Sequence, residues 1–290
     1  MTDVTILDAR NCHLGEGPSY DADTDTLMWL DIVGKRLELL HLATSDRRHV
    51  DLPEMASAVA VVDAERLALV TETGLKVMDR VTGGITMHAP IEAENPATRS
   101  NDSRVHPSGA FWIGTMAKDA TRGAGAIYWH RGGKVRLLYP GISIPNSICF
   151  SPDGRVGYFA DSLFNCLMRV DLDPATGLPV GEAKVLVDTT GHKGVLDGSV
   201  TDADGVIWNA RWGGRRLDAW SPQGELLKSL PLPTRQPTCP VFIGPKLDRI
   251  AVTSAWQDMD EATRARDELA GRILTPAISV RGKAEPRAIV

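Results

Sequence analysis

Four short segments place polar side chains where the surrounding sequence is built for packing. They are Leu14-Gly15-Glu16-Gly17-Pro18, Arg99-Ser100-Asn101-Asp102, Ile144-Pro145-Asn146-Ser147 and Val195-Leu196-Asp197-Gly198. If Glu16, Asn101, Asn146 and Asp197 faced one another, two carboxylates and two amide oxygens would form an oxygen-rich cage. Hard divalent ions (Ca²⁺, Mg²⁺, Mn²⁺) take such ligands, and Zn²⁺ can as well. Without a cation, Glu16 and Asp197 would repel each other in a partly desolvated space. Taken singly, an Asn in a turn or an Asp beside a Gly usually caps a strand or a loop. Chemistry at these positions therefore requires a fold that makes the four equivalent.

The elements around them repeat. Short β-rich runs recur at Leu27–Asp31, Leu67–Thr71, Ala110–Gly114, Val156–Asp161, Val206–Asn209 and Arg249–Thr253. With Trp29, Leu69, Trp112, Phe159, Trp208 and Ala251 as markers, the spacings are roughly 40, 43, 47, 49 and 43 residues, the length of a propeller blade. The turns ahead of the runs, such as Pro107-Ser108-Gly109, Pro152-Asp153-Gly154 and Asp202-Ala203-Asp204-Gly205, supply Gly or Asp where a tight hairpin needs them. A second strand follows most runs, at Arg36–Leu40, Gly125–Trp129, Leu167–Asp171 and Arg216–Trp220. Strand and turn alternating at a fixed period predict an all-β, six-bladed β-propeller of four-stranded antiparallel blades, one domain over residues 1–290. The two chain ends are expected to meet in one blade and close the ring. One helical pattern, Asp258–Leu269, is expected in a late loop. Each of the four polar segments lies about 10–14 residues ahead of its blade's marker, so all four belong on innermost strands lining a central channel.

Composition narrows the function classes. A net charge of −5 with scattered Lys and Arg gives no support to nucleic-acid binding. Met1–His13 lacks the apolar run of a secretory signal, and no stretch approaches the ~20 apolar residues of a membrane span. Cys12, Cys149, Cys166 and Cys239 stand far apart without C-x-x-C spacing and read as reduced thiols. A cytoplasmic protein without membrane contact is expected. There is no Gly-x-Ser-x-Gly elbow, phosphate-binding Gly-x-x-x-x-Gly-Lys or dinucleotide fingerprint, and no histidine pair has H-E-x-x-H spacing.

The segments, in order, resemble the gluconolactonase/regucalcin (senescence marker protein) family. The resemblance is carried by the four polar segments with Trp112–Met116, Gly125–Tyr128, Phe150–Gly154, Val252–Ser254 and Ala270–Arg272, and it covers nearly the whole chain. It implies a six-bladed propeller with one divalent ion held by Glu16, Asn146 and Asp197. It also implies that Arg99 and Asn101 hold sugar hydroxyls and that Asp119 is an acidic substrate contact, with Lys118 beside it as in bacterial lactonases. Ser103 and Ser147 stand where the family commonly has glycine.

The chemistry so implied is hydrolysis of a sugar lactone to its aldonic acid. Three protein ligands leave an ion open to a carbonyl oxygen and a water. Asp197 is the expected proton acceptor and later donor, and Arg99 offers forked donors to hydroxyls or to the developing carboxylate. Two other functions fit the same residues: a non-catalytic calcium-binding propeller and a calcium-dependent esterase.

Overall fold

The marker runs are apolar at nearly every position rather than at alternate ones, which requires sheets covered on both faces. The structure, a computed structural model, describes residues 3–290; Met1 and Thr2 lie outside them. It contains six four-stranded antiparallel sheets. The first blade is β2 (Gly15–Asp21), β3 (Thr26–Asp31), β4 (Arg36–His41) and β5 (Arg47–Asp51). The second is β6 (Ala56–Val61), β7 (Arg66–Thr71), β8 (Gly74–Asp79) and β9 (Ile85–Pro90). The third is β10 (Thr98–Val105), β11 (Phe111–Ala117), β12 (Gly125–Arg131) and β13 (Lys134–Ile142). The fourth is β14 (Pro145–Phe150), β15 (Val156–Asp161), β16 (Cys166–Asp171) and β17 (Lys184–Asp188). The fifth is β18 (Val195–Thr201), β19 (Ile207–Trp212), β20 (Arg216–Trp220) and β21 (Leu226–Pro231). The sixth joins β22 (Pro237–Ile243), β23 (Arg249–Ser254) and β24 (Ile273–Pro276) to the N-terminal β1 (Val4–Asp8) as its outer strand.

The first strands of the blades touch in the order β2, β6, β10, β14, β18, β22, and β22 returns to β2. The ring is closed. Its core is divided into six apolar clusters, each between two neighbouring blades. Along β3, for example, Met28 and Leu30 face the second blade while Trp29 faces the sixth. Period-two alternation thus places both sets of side chains in cores, so the strand reads as one apolar run. Outer strands such as β5 and β21 are mostly exposed.

Closure is as expected, with Val4 opposite Pro276 and Ile6 opposite Leu274 in antiparallel register. The predicted helix is shorter than its pattern. The expected Asp258–Leu269 reduces to α1 (Glu261–Ala265), whose N-cap Asp260 accepts from the Thr263 N–H at 2.7 Å. Asp258 has φ +59°, outside helical space, and the chain turns after Arg266. Buried contacts decide the length here: Ala270 and Asp267 are drawn into the interior, which the Glu-, Arg- and Ala-rich pattern does not reveal.

Candidate functional site

Every innermost strand is interrupted at the same height. The register against the second strand shifts between Glu16 and Ser19, Ala56 and Ala58, Ser100 and Ser103, Asn146 and Cys149, Leu196 and Ser199, and Pro237 and Pro240. A bulge twists a strand and re-aims the side chain at the break. Glu16, Asn101, Asn146 and Asp197 occupy these breaks, and the structure brings all four to one cavity of about 210 Å³. Ser57 and Thr238 hold the matching places on the second and sixth blades, and both hydroxyls bond backbone oxygens of neighbouring blades.

The bulges need particular backbone. Gly17 has φ +52°, and a Cβ there would stand 2.0 Å from the Ser57 carbonyl oxygen. Ser147, just after Asn146, also has positive φ, +58°, which explains why glycine is the easier residue at that place. Its hydroxyl has a use: Oγ donates to the Asp197 carbonyl at 2.6 Å. The Asn209 amide donates to the same carbonyl at 3.0 Å, so the backbone presenting Asp197 is fixed from two blades.

The polar groups differ in freedom. Asn146 Nδ2 donates to Ser162 Oγ at 2.8 Å, and its Oδ1 receives only a long 3.3 Å bond from Asn101. Asn101 is committed, its Oδ1 accepting from Arg99 Nη1 at 2.8 Å and its Nδ2 donating to the Pro145 carbonyl at 2.9 Å. Of the four oxygen donors, Glu16, Asn146 and Asp197 are therefore the ones available to an ion. Burial, then the charge of Asp102, pushes the Glu16 carboxyl up; burial, then the charge of Glu16, does the same to Asp197. A cation among two carboxylates and an amide oxygen would offset that cost, so the donor set fits a divalent ion. Among the described residues no three His, Cys, Asp or Glu side chains gather, since one donor here is an amide.

Arg99 lines the cavity and is 9% exposed. Burial lowers its pKa to about 10, which leaves it charged at neutral pH. Among the described residues both of its hydrogen bonds leave from Nη1, so Nε and Nη2 remain for a ligand. Lys118 and Asp119 are not brought into the cavity. Lys118 pairs with Glu72 at 2.5 Å, Asp119 accepts from its own loop at Thr121, and only the next residue, Ala120, lines the cavity. Sequence reasoning missed the apolar wall of Leu14, Met116, Ile144, Val195 and Trp212. A signal was present: Leu14, Arg99, Ile144 and Val195 each precede an axial residue by two, hence share its side of the strand. Met116 and Trp212 lie opposite Arg99 and Val195 in the second strands. Gln257 and Asp258 complete the rim, where Trp256 is stacked on His13 with Arg264 over its ring at 3.8 Å.

Residues 14–256 match the family model described as SMP-30/Gluconolactonase/LRE-like region. The chain is 35% identical over 287 residues to an L-arabinolactonase of Azospirillum brasilense, covering 97% of this chain and 94% of that one. It is 31% identical over 274 residues to a pentonolactonase of Haloferax volcanii, covering 93% and 91%. A crystal structure described as a calcium-binding protein, regucalcin, from Agrobacterium tumefaciens superposes with a TM-score of 0.98 at 45% identity, covering 100% of this chain and 98% of that one. With its cavity at the axis of six blades and these likenesses running end to end, the chain belongs to the SMP-30/gluconolactonase/LRE-like family.

Proposed function

We propose that the protein hydrolyses a sugar lactone to the aldonic acid with one divalent ion (Ca²⁺, Zn²⁺, Mn²⁺ or Mg²⁺) held by Glu16, Asn146 and Asp197. The observation that carries this reading is the convergence of those three side chains with Arg99 in one cavity. Its support from relatives is that the Azospirillum and Haloferax proteins are named for lactone substrates. When bound, the ion supplies Lewis acidity that polarises a carbonyl and eases ionisation of a water.

The remaining work falls to the chain. Arg99 presents Nε and Nη2 to substrate hydroxyls and then to the carboxylate that forms, where forked charge-assisted bonds are strong. Asn101, locked by Arg99 and Pro145, fixes the Arg99 fork in place and borders the sugar. Met116, Ile144, Val195 and Trp212 cover the ring's C–H faces and exclude bulk water. Asp197 accepts the proton of the attacking water and returns it to the ring oxygen as the acyl–oxygen bond breaks. Lys118 and Asp119, held by Glu72 and Thr121 outside the cavity, are given no part in holding the substrate. The four cysteines are free, which supports placement in a reducing cytoplasm.

A non-catalytic calcium-binding role has one specific observation in its favour, the description of the Agrobacterium relative. Acid release from a panel of aldonolactones, beside aryl esters, separates the possibilities. Turnover of lactones in preference to aryl esters is the expected result. Turnover of neither would favour the binding role, and preference for aryl esters would make the protein an esterase.

A further inference from the structure

Below the layer of Glu16, Asn146 and Asp197, a buried arginine crosses the channel. Arg104 stands on β10, and its Nη2 donates to the Ser199 carbonyl on β18 at 3.4 Å and to Cys239 Sγ on β22 at 3.3 Å. Its Nη1 donates to Oε1 of Glu285 at 2.9 Å. Glu285 belongs to the last stretch of the chain, which has no regular secondary structure but is tied down along its length. The Gly282 N–H donates to the Leu247 carbonyl, the Arg281 carbonyl accepts from Ala203, the Ala288 N–H donates to Val61 and the Ile289 N–H to Gly109. Arg287 also pairs with Asp23.

These partners lie at or beyond the C-terminal ends of the innermost strands, whereas Glu16, Asn146 and Asp197 stand near the N-terminal ends. The segment therefore straps the far mouth of the channel, and it lies outside residues 14–256 of the family match. From Arg104 the connections run upward. Ser199 follows Asp197 by two residues on β18. Asp102, two residues before Arg104, accepts from the N–H of Ile148 at 2.7 Å, and Ile148 follows Asn146 by two.

We propose that Glu285 is a positioning residue for the metal centre: from the C-terminal strap it fixes Arg104 across the channel floor, and Arg104 fixes the strand backbone that presents Asp197 and Asn146. This rests on the reading of Glu16, Asn146 and Asp197 as a divalent-ion site. Removing Glu285 leaves a buried guanidinium without its carboxylate, so Arg104 must turn toward solvent or take another acceptor. Either movement releases the Ser199 carbonyl.

The test is calorimetric titration of the metal-stripped full chain with Mn²⁺ alone, with thermal melting alongside. Loss of a group that orients metal ligands typically weakens metal binding by about tenfold or more, and that is expected for Glu285→Ala. Glu285→Gln, which keeps an acceptor for Arg104, recovers most of the affinity. Arg287→Ala, on the same strap but at its exposed pairing, shifts the melting temperature little and leaves Mn²⁺ affinity within about twofold. Equal Mn²⁺ affinity in wild type and Glu285→Ala overturns the proposal. Equal weakening by Glu285→Ala and Arg287→Ala also overturns it, since the strap would then act through global stability alone. A wild type that takes up no Mn²⁺ overturns the metal-centre reading itself, an outcome separate from the other two. Should Glu285→Ala not fold, Glu285→Asp, one methylene shorter, carries the same expectation.

Discussion

At the scale of residues, the account assigns different work to two carboxylates that look alike. Asp197→Asn keeps an oxygen for the ion but cannot accept a proton, so kcat at saturating metal should fall by at least about 10²-fold. Under the proposed roles Glu16→Gln alters only a ligand, so it should regain part of its activity in excess metal. Comparing kcat for the two variants across a Mn²⁺ titration separates the roles; near-normal turnover by Asp197→Asn would make Asp197 only a ligand. Arg99→Ala removes a forked donor without touching the ligand set. Its kcat/KM should drop by about 1.5–3 kcal/mol, roughly 10- to 150-fold, with metal content by elemental analysis unchanged. That these residues share one cavity was legible in the sequence because each lies about 10–14 residues ahead of its blade's marker, at one height in the repeat. The commitment of Asn101 to Arg99 and Pro145 was not legible, since it depends on contacts between the third and fourth blades. Nor could local sequence show that Lys118 is drawn to Glu72, a residue of the second blade.

At the scale of elements, the joint that closes the ring is tied by a buried carboxylate. Asp8, the last residue of β1, accepts from Arg10 N and Nε at 2.9 Å, and from Arg47 Nε at 2.9 Å on the first blade. Burial alone would raise its carboxyl, but the bonds and charge of Arg10, with the bond from Arg47, outweigh burial and hold it below its ordinary value. A depressed carboxyl contributes stability above its unfolded pKa and loses it as pH falls through the folded value. Asp8→Asn should therefore destabilise the protein by about 1–3 kcal/mol at pH 7. The gap to wild type should narrow as pH drops below about 4, near the unfolded carboxylate pKa. Denaturant melts at several pH values check both statements, and a gap that widens in acid would contradict the assignment. The strands themselves could be read closely from sequence; β15 and β20 match their apolar runs to the residue. Bulges could not, because a one-residue shift in pairing leaves composition unchanged. The helix pattern misled for a related reason: Asp258 adopts a left-handed backbone at the cavity rim, and tertiary contacts there override propensity.

At the scale of the whole molecule, sixfold repetition does the positioning. Inner strands of the first, fourth and fifth blades bring Glu16, Asn146 and Asp197 to one axial cavity, so the three side chains meet without any local motif linking them. The period of the repeat made this geometry readable, whereas the C-terminal strap has no period and only the folded chain reveals its course. No helix of the described residues is long and apolar enough to cross a membrane. The central claim is that the axial trio is a metal-dependent lactone-hydrolysing centre, and its most direct measurement is acid release in a pH-stat. Protein stripped of metal by EDTA and exchanged into metal-free buffer is assayed on an aldonolactone while Mn²⁺, Ca²⁺, Mg²⁺ or Zn²⁺ is returned in steps. The account predicts loss of at least about 10²-fold on stripping and recovery that levels off at about one equivalent of an effective ion per chain. Unchanged hydrolysis by protein shown to be free of metal would contradict it.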